Sequence, residues 1–187
     1  MRKWIAAALL AAGLWACPVL VGAEVRIGDV GWQVALDVRN PKSPFHDISQ
    51  WMFPPSPTVR VRPRIMVKLL NDASRPETAM LLRYAFSARL KRIGDEAPGT
   101  WAVPFVVEER HVPRVGPGAS LKVPVNVNRV AMTAYLKRMY RAGFWPDAFR
   151  ANVMVEPRPG DRLDGRIVEK PLPVQWKAGA PGQADNP

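Results

Sequence analysis

The sequence predicts a mainly β protein, folded as an antiparallel sandwich of two sheets with one helix. Seven segments alternate between apolar and polar residues, which is the pattern of half-buried strands. Clusters of Pro, Gly, Asn and Asp separate these segments at short spacing, as turns do in all-β domains. The 187 residues suit one domain, and 48% apolar residues can supply a core, whereas 20 prolines and 13 glycines are unusual for a helical protein.

The N-terminus has the pattern of a bacterial secretory signal peptide. Arg2 and Lys3 precede an apolar stretch at 4–16. The small residues Val21-Gly22-Ala23 predict cleavage after Ala23, which makes residues 1–23 the signal peptide. The mature protein is then expected in the periplasm or outside the cell.

Two alternatives to this cleavage remain open. Residues 14–17 resemble a lipobox, which predicts a lipoprotein anchored through Cys17. An uncleaved membrane anchor is the other alternative, and Pro18 disfavours it because proline interrupts an apolar helix.

The sandwich domain is predicted to span residues 24–176 and to begin with three alternating strands. The first is 30–39, the second 58–70 and the third 79–93. A proline-rich loop, 40–57, separates the first two. The residues expected to face the core are Val30, Trp32, Val34, Leu36 and Val38 in the first strand, Val59, Val61, Ile65, Val67 and Leu69 in the second, and Met80, Leu82, Tyr84, Phe86, Ala88 and Leu90 in the third.

Four further strands and one helix complete the predicted domain. The strands are 101–107, 121–127, 149–155 and 166–176, and the helix, 128–142, connects the fifth and sixth strands. Asn128 is suited to cap this helix and Gly143 to end it. Residues 177–187 are predicted to be a disordered tail.

Seven short antiparallel strands resemble the architecture of immunoglobulin and fibronectin III sandwiches, although the chain has no pair of cysteines to bridge the two sheets. The resemblance concerns architecture only, since no stretch of the chain matches a family motif.

The sequence offers few residues for catalysis. It contains two histidines and one cysteine, Cys17, which leaves with the predicted signal peptide. The mature chain can then form no disulfide, thiol nucleophile or zinc–thiolate site. His46 and Asp47 lie next to each other in the proline-rich loop, without the glycine-flanked serine of a nucleophile elbow. We therefore predict a non-enzymatic protein with no cofactor and no metal site.

Positive charge is the strongest functional signal. The chain has 27 basic and 16 acidic residues, for a net charge of +11. If the second and third predicted strands are neighbours in one sheet, seven cations lie on one outer face, where they could bind acidic glycans or anionic lipid headgroups. The alternative is a solvated face without a ligand, since any outer sheet face is polar. The cations of this predicted basic face are Arg60, Arg62, Arg64 and Lys68 in the second strand and Arg83, Arg89 and Lys91 in the third.

A second signal is the apolar run Trp51, Met52 and Phe53, which is followed by prolines. These bulky side chains on a stiff backbone form a candidate docking loop for a partner. They could instead cap an open end of the core, because an exposed group of this size is rare on a soluble monomer.

These observations predict an interaction or accessory module of the cell envelope. Its partner would be an envelope protein or an acidic polymer or lipid surface. The alternative function is a binding module for acidic glycans or anionic lipid headgroups through the basic face. Nucleic acid is disfavoured, because the protein is predicted to be exported and no aromatic residues alternate with the cations of that face.

Overall fold

The structure is a computed structural model that describes residues 25–53, 57–159, 161 and 163–176. The predicted signal peptide with Cys17 and the predicted tail 177–187 lie outside these residues. The elements, in chain order, are β1 Val25–Ala35, β2 His46–Ile48, β3 Trp51–Phe53, β4 Arg62–Asn71, β5 Glu77–Arg92, β6 Thr100–Trp101, β7 Val106–Val115, β8 Ser120–Asn126, α1 Arg129–Arg141, β9 Phe144–Val155 and β10 Ile167–Trp176.

The strands form two sheets. The smaller sheet has four strands in the order β2-β1-β4-β8. The larger sheet has six strands: β3, β10, β9 and β5 follow one another, and both β7 and β6 pair with the remaining edge of β5. All pairs are antiparallel except β3 with β10, which is parallel.

The core lies between the two sheets, and Trp32 of β1 joins them. Its side chain is 3% exposed and its ring packs on Phe86 of β5, with 5.7 Å between the ring centroids. The indole Nε1 also donates to the carbonyl oxygen of Lys170 in β10, at 3.0 Å. A bulge next to Gly28 shifts the alternation of β1 by one residue, so that Ile27 and Trp32 both face the core.

The mainly β, two-sheet architecture with one helix in the described part of the chain agrees with the prediction, but the strand count differs. β2 and β3 lie inside the predicted loop 40–57 and are too short to show alternation, and the predicted strand 101–107 divides into β6 and β7. The helix therefore lies between β8 and β9, not between the fifth and sixth strands. Leu36, predicted to face the core, is 68% exposed because β1 ends at Ala35.

The connection between β4 and β5 crosses from one sheet to the other. Asn71, at the end of β4, is buried, and its side-chain amide donates to the carbonyl oxygens of Arg75 and Val115 at 2.9 and 3.1 Å. Its backbone N–H donates to the carbonyl of Ala119, at 3.0 Å. Residues 116–119 connect β7 with β8 and so also cross between the sheets. Asn71 thus binds the two crossing connections to each other.

The helix α1 packs on one end of the sandwich. Met132 and Leu136 are buried in the core, and the ring of Tyr135 stacks on Phe105 with 5.1 Å between centroids. The side chain of Asn128 accepts from the backbone N–H groups of Val130 and Ala131, which is the predicted N-cap. In the described part of the chain, no helix has the length and apolar character that crossing a bilayer requires.

Candidate functional site

The seven cations of the predicted basic face are divided between two sheets. Arg62, Arg64 and Lys68 lie on β4 of the smaller sheet, and Arg60 precedes that strand. The other three cations lie on β5 of the larger sheet. Because the two sheets pack face to face, their outer faces point in opposite directions. The expectation of one face with seven positive charges is therefore wrong, since β4 and β5 are not neighbours.

On the smaller sheet, Arg62 binds the segment that leads to β2. Its guanidinium donates to the carbonyl oxygens of Asn40, at 2.9 Å, and of Pro41 and Ser43, each at 3.3 Å. The guanidinium carbon also lies 5.3 Å from the ring centroid of Phe45. These contacts give Arg62 a structural role in holding the first part of the proline-rich loop against the sheet.

Arg64 is bound in a similar way. Its guanidinium carbon lies 3.5 Å from the centroid of the Phe45 ring, a close cation–π contact. Its Nε donates to Gln33 Oε1 at 2.8 Å, and Gln33 Nε2 donates to Asp47 Oδ1 at 2.8 Å. Burial lowers the pKa of Arg64, the charge of Arg62 lowers it further, and Asp47 raises it. These contacts within the chain fix the orientation of the Arg64 side chain.

On the larger sheet, two of the three predicted cations are paired with carboxylates. Arg83 lies 3.7 Å from Glu109 and 3.3 Å from Glu156. Arg89 Nε lies 2.7 Å from Asp147 Oδ1. Their positive charge is therefore offset within the chain.

Arg60, Lys68 and Lys91 are the remaining members of the predicted basic face. Within the described residues, the structure shows no ion pair for any of them. Arg60 and Lys68 lie with the smaller sheet and Lys91 with the larger one, so they do not form one site.

The candidate docking loop is largely part of the fold. Trp51 is 6% exposed, and its ring packs on Phe149 with 5.4 Å between the centroids. Its strand, β3, extends the larger sheet by pairing with β10. Met52 is exposed, and the side chain of Phe53 lies outside the described part of the structure. The interpretation of this segment as a cap of the core therefore fits Trp51, which is not available for docking.

The outer face of the larger sheet carries an aromatic and arginine cluster that the sequence analysis does not identify. Trp101 of β6 is partly exposed, and the guanidinium carbons of Arg150 and Arg89 lie 4.3 and 5.7 Å from its ring. Arg150 also contacts Glu169 Oε2 at 3.3 Å. We call Trp101, Arg89, Arg150, Asp147 and Glu169 the Trp101 cluster. Every arginine in it is paired with a carboxylate.

Gly99, in the turn before β6, and Asp147 of β9 explain why Trp101 lies in this position. A Cβ atom on Gly99 would lie 2.3 Å from the carbonyl oxygen of Leu90, so only glycine allows the backbone to come this close to β5. Asp147 Oδ2 accepts from the Gly99 N–H at 2.9 Å, while the other oxygen binds Arg89. The turn and the arginine are thus fixed by one carboxylate, which holds the Trp101 cluster rigidly.

Buried polar atoms without partners lie next to this cluster. Ser87 is opposite Arg150 in the β5–β9 pairing, and Asn152 is one pair further along, on the same face. Ser87 Oγ, Arg150 Nε and Asn152 Oδ1 are buried, and no described residue forms a hydrogen bond with them. Val107, which shares this face, is 71% exposed. Buried polar atoms are almost always paired in native proteins, so a group of three unpaired ones in one place is unusual.

Comparison with protein-family models and with curated proteins finds no match to the chain. Residues 25–53, 57–159, 161 and 163–176 contain no group of three or more His, Cys, Asp or Glu side chains that could hold a metal ion.

Sequence reasoning missed the Trp101 cluster because its residues come from four strands. The alternating pattern places Trp101 in a predicted strand but gives it no role, and Arg150 and Glu169 lie about 50 and 70 residues further along the chain. Gly99 directly before a two-residue strand is the signal that could have indicated a close backbone approach at this point.

Proposed function

We propose that this protein is a non-enzymatic, exported interaction module of the cell envelope, built as an immunoglobulin-like sandwich. We further propose that its docking surface for a partner protein is the outer face of the larger sheet around Trp101. The observation that supports this most is the partly exposed Trp101 ring, which Arg150 and Arg89 hold on that face.

The chemistry of this face suits a protein partner. Tryptophan and arginine are the residues that contribute most often to the binding energy of protein interfaces. Here both are fixed before binding, which lowers the entropy lost on association. The exposed Val107 adds apolar area on the same face.

The alternative function, binding of acidic glycans or anionic lipids through the predicted basic face, has less support. Arg62 and Arg64 are engaged with the segment from Asn40 to Phe45, and Arg83 and Arg89 with carboxylates. A polyanion would have to compete with these internal contacts, and it would meet the two groups of cations on opposite faces.

The test is retention of an envelope protein by immobilised wild-type protein and by the variant Trp101→Ala. Truncation of a central interface tryptophan typically weakens binding by more than about 30-fold, so we expect the retained protein to be lost from the Trp101→Ala sample. The matched control is Met66→Ala, because Met66 is a partly exposed apolar residue on the outer face of the smaller sheet. Thermal melts of all three proteins establish that they are folded.

Two results would contradict the proposal. Equal retention of the same protein by wild type and Trp101→Ala would place docking elsewhere. Retention of acidic polysaccharide that depends on the cations of the predicted basic face, and that is lost as sodium chloride rises from about 0.1 M to about 0.5 M, would favour the alternative function, because exposed charge contacts are screened by salt.

A further inference from the structure

The exposed side of α1 carries positive charge and no negative charge. The helix, Arg129–Arg141, contains no Asp or Glu. Lys137, Arg138 and Arg141 are exposed, and together with Ala134 and Ala142 they line a surface depression of about 560 Å³. Surface helices usually mix charges of both signs, so this composition is unusual.

These three cations repel one another. Lys137 and Arg141 are four residues apart on the helix and Arg138 and Arg141 three apart, spacings at which like charges destabilise a helix. Among the described residues, none of the three forms an ion pair. Their position near the helix C-terminus is favourable because of the helix dipole, but this effect does not require three cations. Within the described structure, no carboxylate offsets this repulsion by forming an ion pair with one of the three cations.

We propose that this face of α1 is a contact surface for the anionic phospholipid headgroups of a bilayer. Ala134 and Ala142 line the depression together with the three cations, and their small side chains leave room for a phosphate group. Phe144, which begins β9 directly after the helix, is 38% exposed and provides an apolar group close to the cations in the chain. Without Arg2 and Lys3 of the predicted signal peptide the net charge falls from +11 to +9, which still favours the approach of the mature protein to a negative surface.

This inference rests on the proposed envelope location, but it concerns a surface that shares no residue with the Trp101 cluster. A membrane contact through α1 would bring the protein to the bilayer surface, where the outer face of the larger sheet could meet a membrane-bound partner.

The test is co-sedimentation of the mature protein, residues 24–187, with vesicles of phosphatidylcholine and phosphatidylglycerol, and with vesicles of phosphatidylcholine alone. The variant is Lys137→Gln, Arg138→Gln and Arg141→Gln combined. Each basic residue near an anionic surface strengthens binding about fivefold, so the triple variant should bind the mixed vesicles on the order of 100-fold more weakly. Neither protein should bind phosphatidylcholine alone.

The matched control removes the same charge from other places on the surface. Lys42, Arg75 and Lys122 are exposed, and changing each to Gln lowers the net charge by three without altering α1. We expect this control to bind the mixed vesicles within about threefold of wild type, because its cations lie outside α1.

Two outcomes would overturn the inference. One is equal weakening by the two triple variants, which would mean that only net charge matters. The other is no binding of wild type to the mixed vesicles together with α1-dependent retention on heparin, which would assign the face to a soluble polyanion. Neither outcome bears on retention by Trp101→Ala, so failure of this inference is distinguishable from failure of the proposed function.

Discussion

Replacement of Asn71 by Ala should lower the free energy of unfolding by about 2–5 kcal/mol. The side chain is 1% exposed, and its amide donates to the carbonyl oxygens of Arg75 and Val115. Its Oδ1 also accepts from the N–H of Ala73, at 3.1 Å. The bond to Val115 is buried, so its carbonyl would lose its partner at a cost of about 1–3 kcal/mol, while the two less buried bonds contribute about 0.5–1 kcal/mol each.

Urea unfolding, followed by tryptophan fluorescence, measures this change. Asn126→Ala is the control, because Asn126 is exposed and its loss should change stability by less than about 0.5 kcal/mol. Asn71→Asp should be at least as destabilising as Asn71→Ala near neutral pH, since it aims a carboxylate at two carbonyl oxygens. If Asn71→Ala unfolds within about 0.5 kcal/mol of wild type, then Asn71 does not bind the two crossing connections, and the division of β4 and β5 between two sheets loses its physical explanation.

Three further changes test the fold. Trp32→Ala should lower the free energy of unfolding by about 3–5 kcal/mol, because the buried ring joins the two sheets; an unchanged melting temperature would contradict the register of β1. Asn128→Ala should cost about 1 kcal/mol by removing the helix cap, and urea unfolding that matches wild type would refute the cap. Burial, together with the hydrogen bond to Glu108, raises the pKa of Tyr84 to about 12. Ultraviolet difference spectra should therefore show a tyrosine titration step near this pH, and the step should be absent from the spectra of Tyr84→Phe. Because the folded-state pKa is raised, the stabilisation due to neutral Tyr84 is complete below about pH 10 and decreases as pH rises through about 12.

Much of the core could be predicted from alternation alone. Ile65, Val67 and Leu69 of β4 and Leu82, Tyr84 and Phe86 of β5 are all buried as predicted, since period-two burial is a local property of a strand. The N-cap at Asn128 followed in the same way from local sequence. The bulge of β1 was not predicted, because the close contact of Gly28 with Leu70 depends on the neighbouring strand.

The sequence alone does not predict which strands pair with each other. The link between β4 and β5 has five residues, 72–76, and a link of this length can close a hairpin or cross between sheets. Hydrogen bonds of the buried Asn71 stabilise the crossing between the sheets. Its partners Val115 and Ala119 are more than 40 residues away in the sequence. For this reason the prediction that the seven cations share one face was wrong, although the cations of β4 alternate with buried residues as expected. The Trp101 cluster depends on the same long-range pairings, through β5 and β9.

In-cell photocrosslinking from the outer face of the larger sheet tests most directly whether a partner protein docks on that face. A benzoylphenylalanine residue is introduced at Val107, which is 71% exposed on that face, or at the exposed Lys122 on the smaller sheet. We predict that Val107 forms one adduct of defined mass with an envelope protein, that Trp101→Ala abolishes this adduct, and that Lys122 forms none. An adduct from Lys122 without one from Val107, or a Val107 adduct that persists in Trp101→Ala, would contradict the assignment of the docking surface.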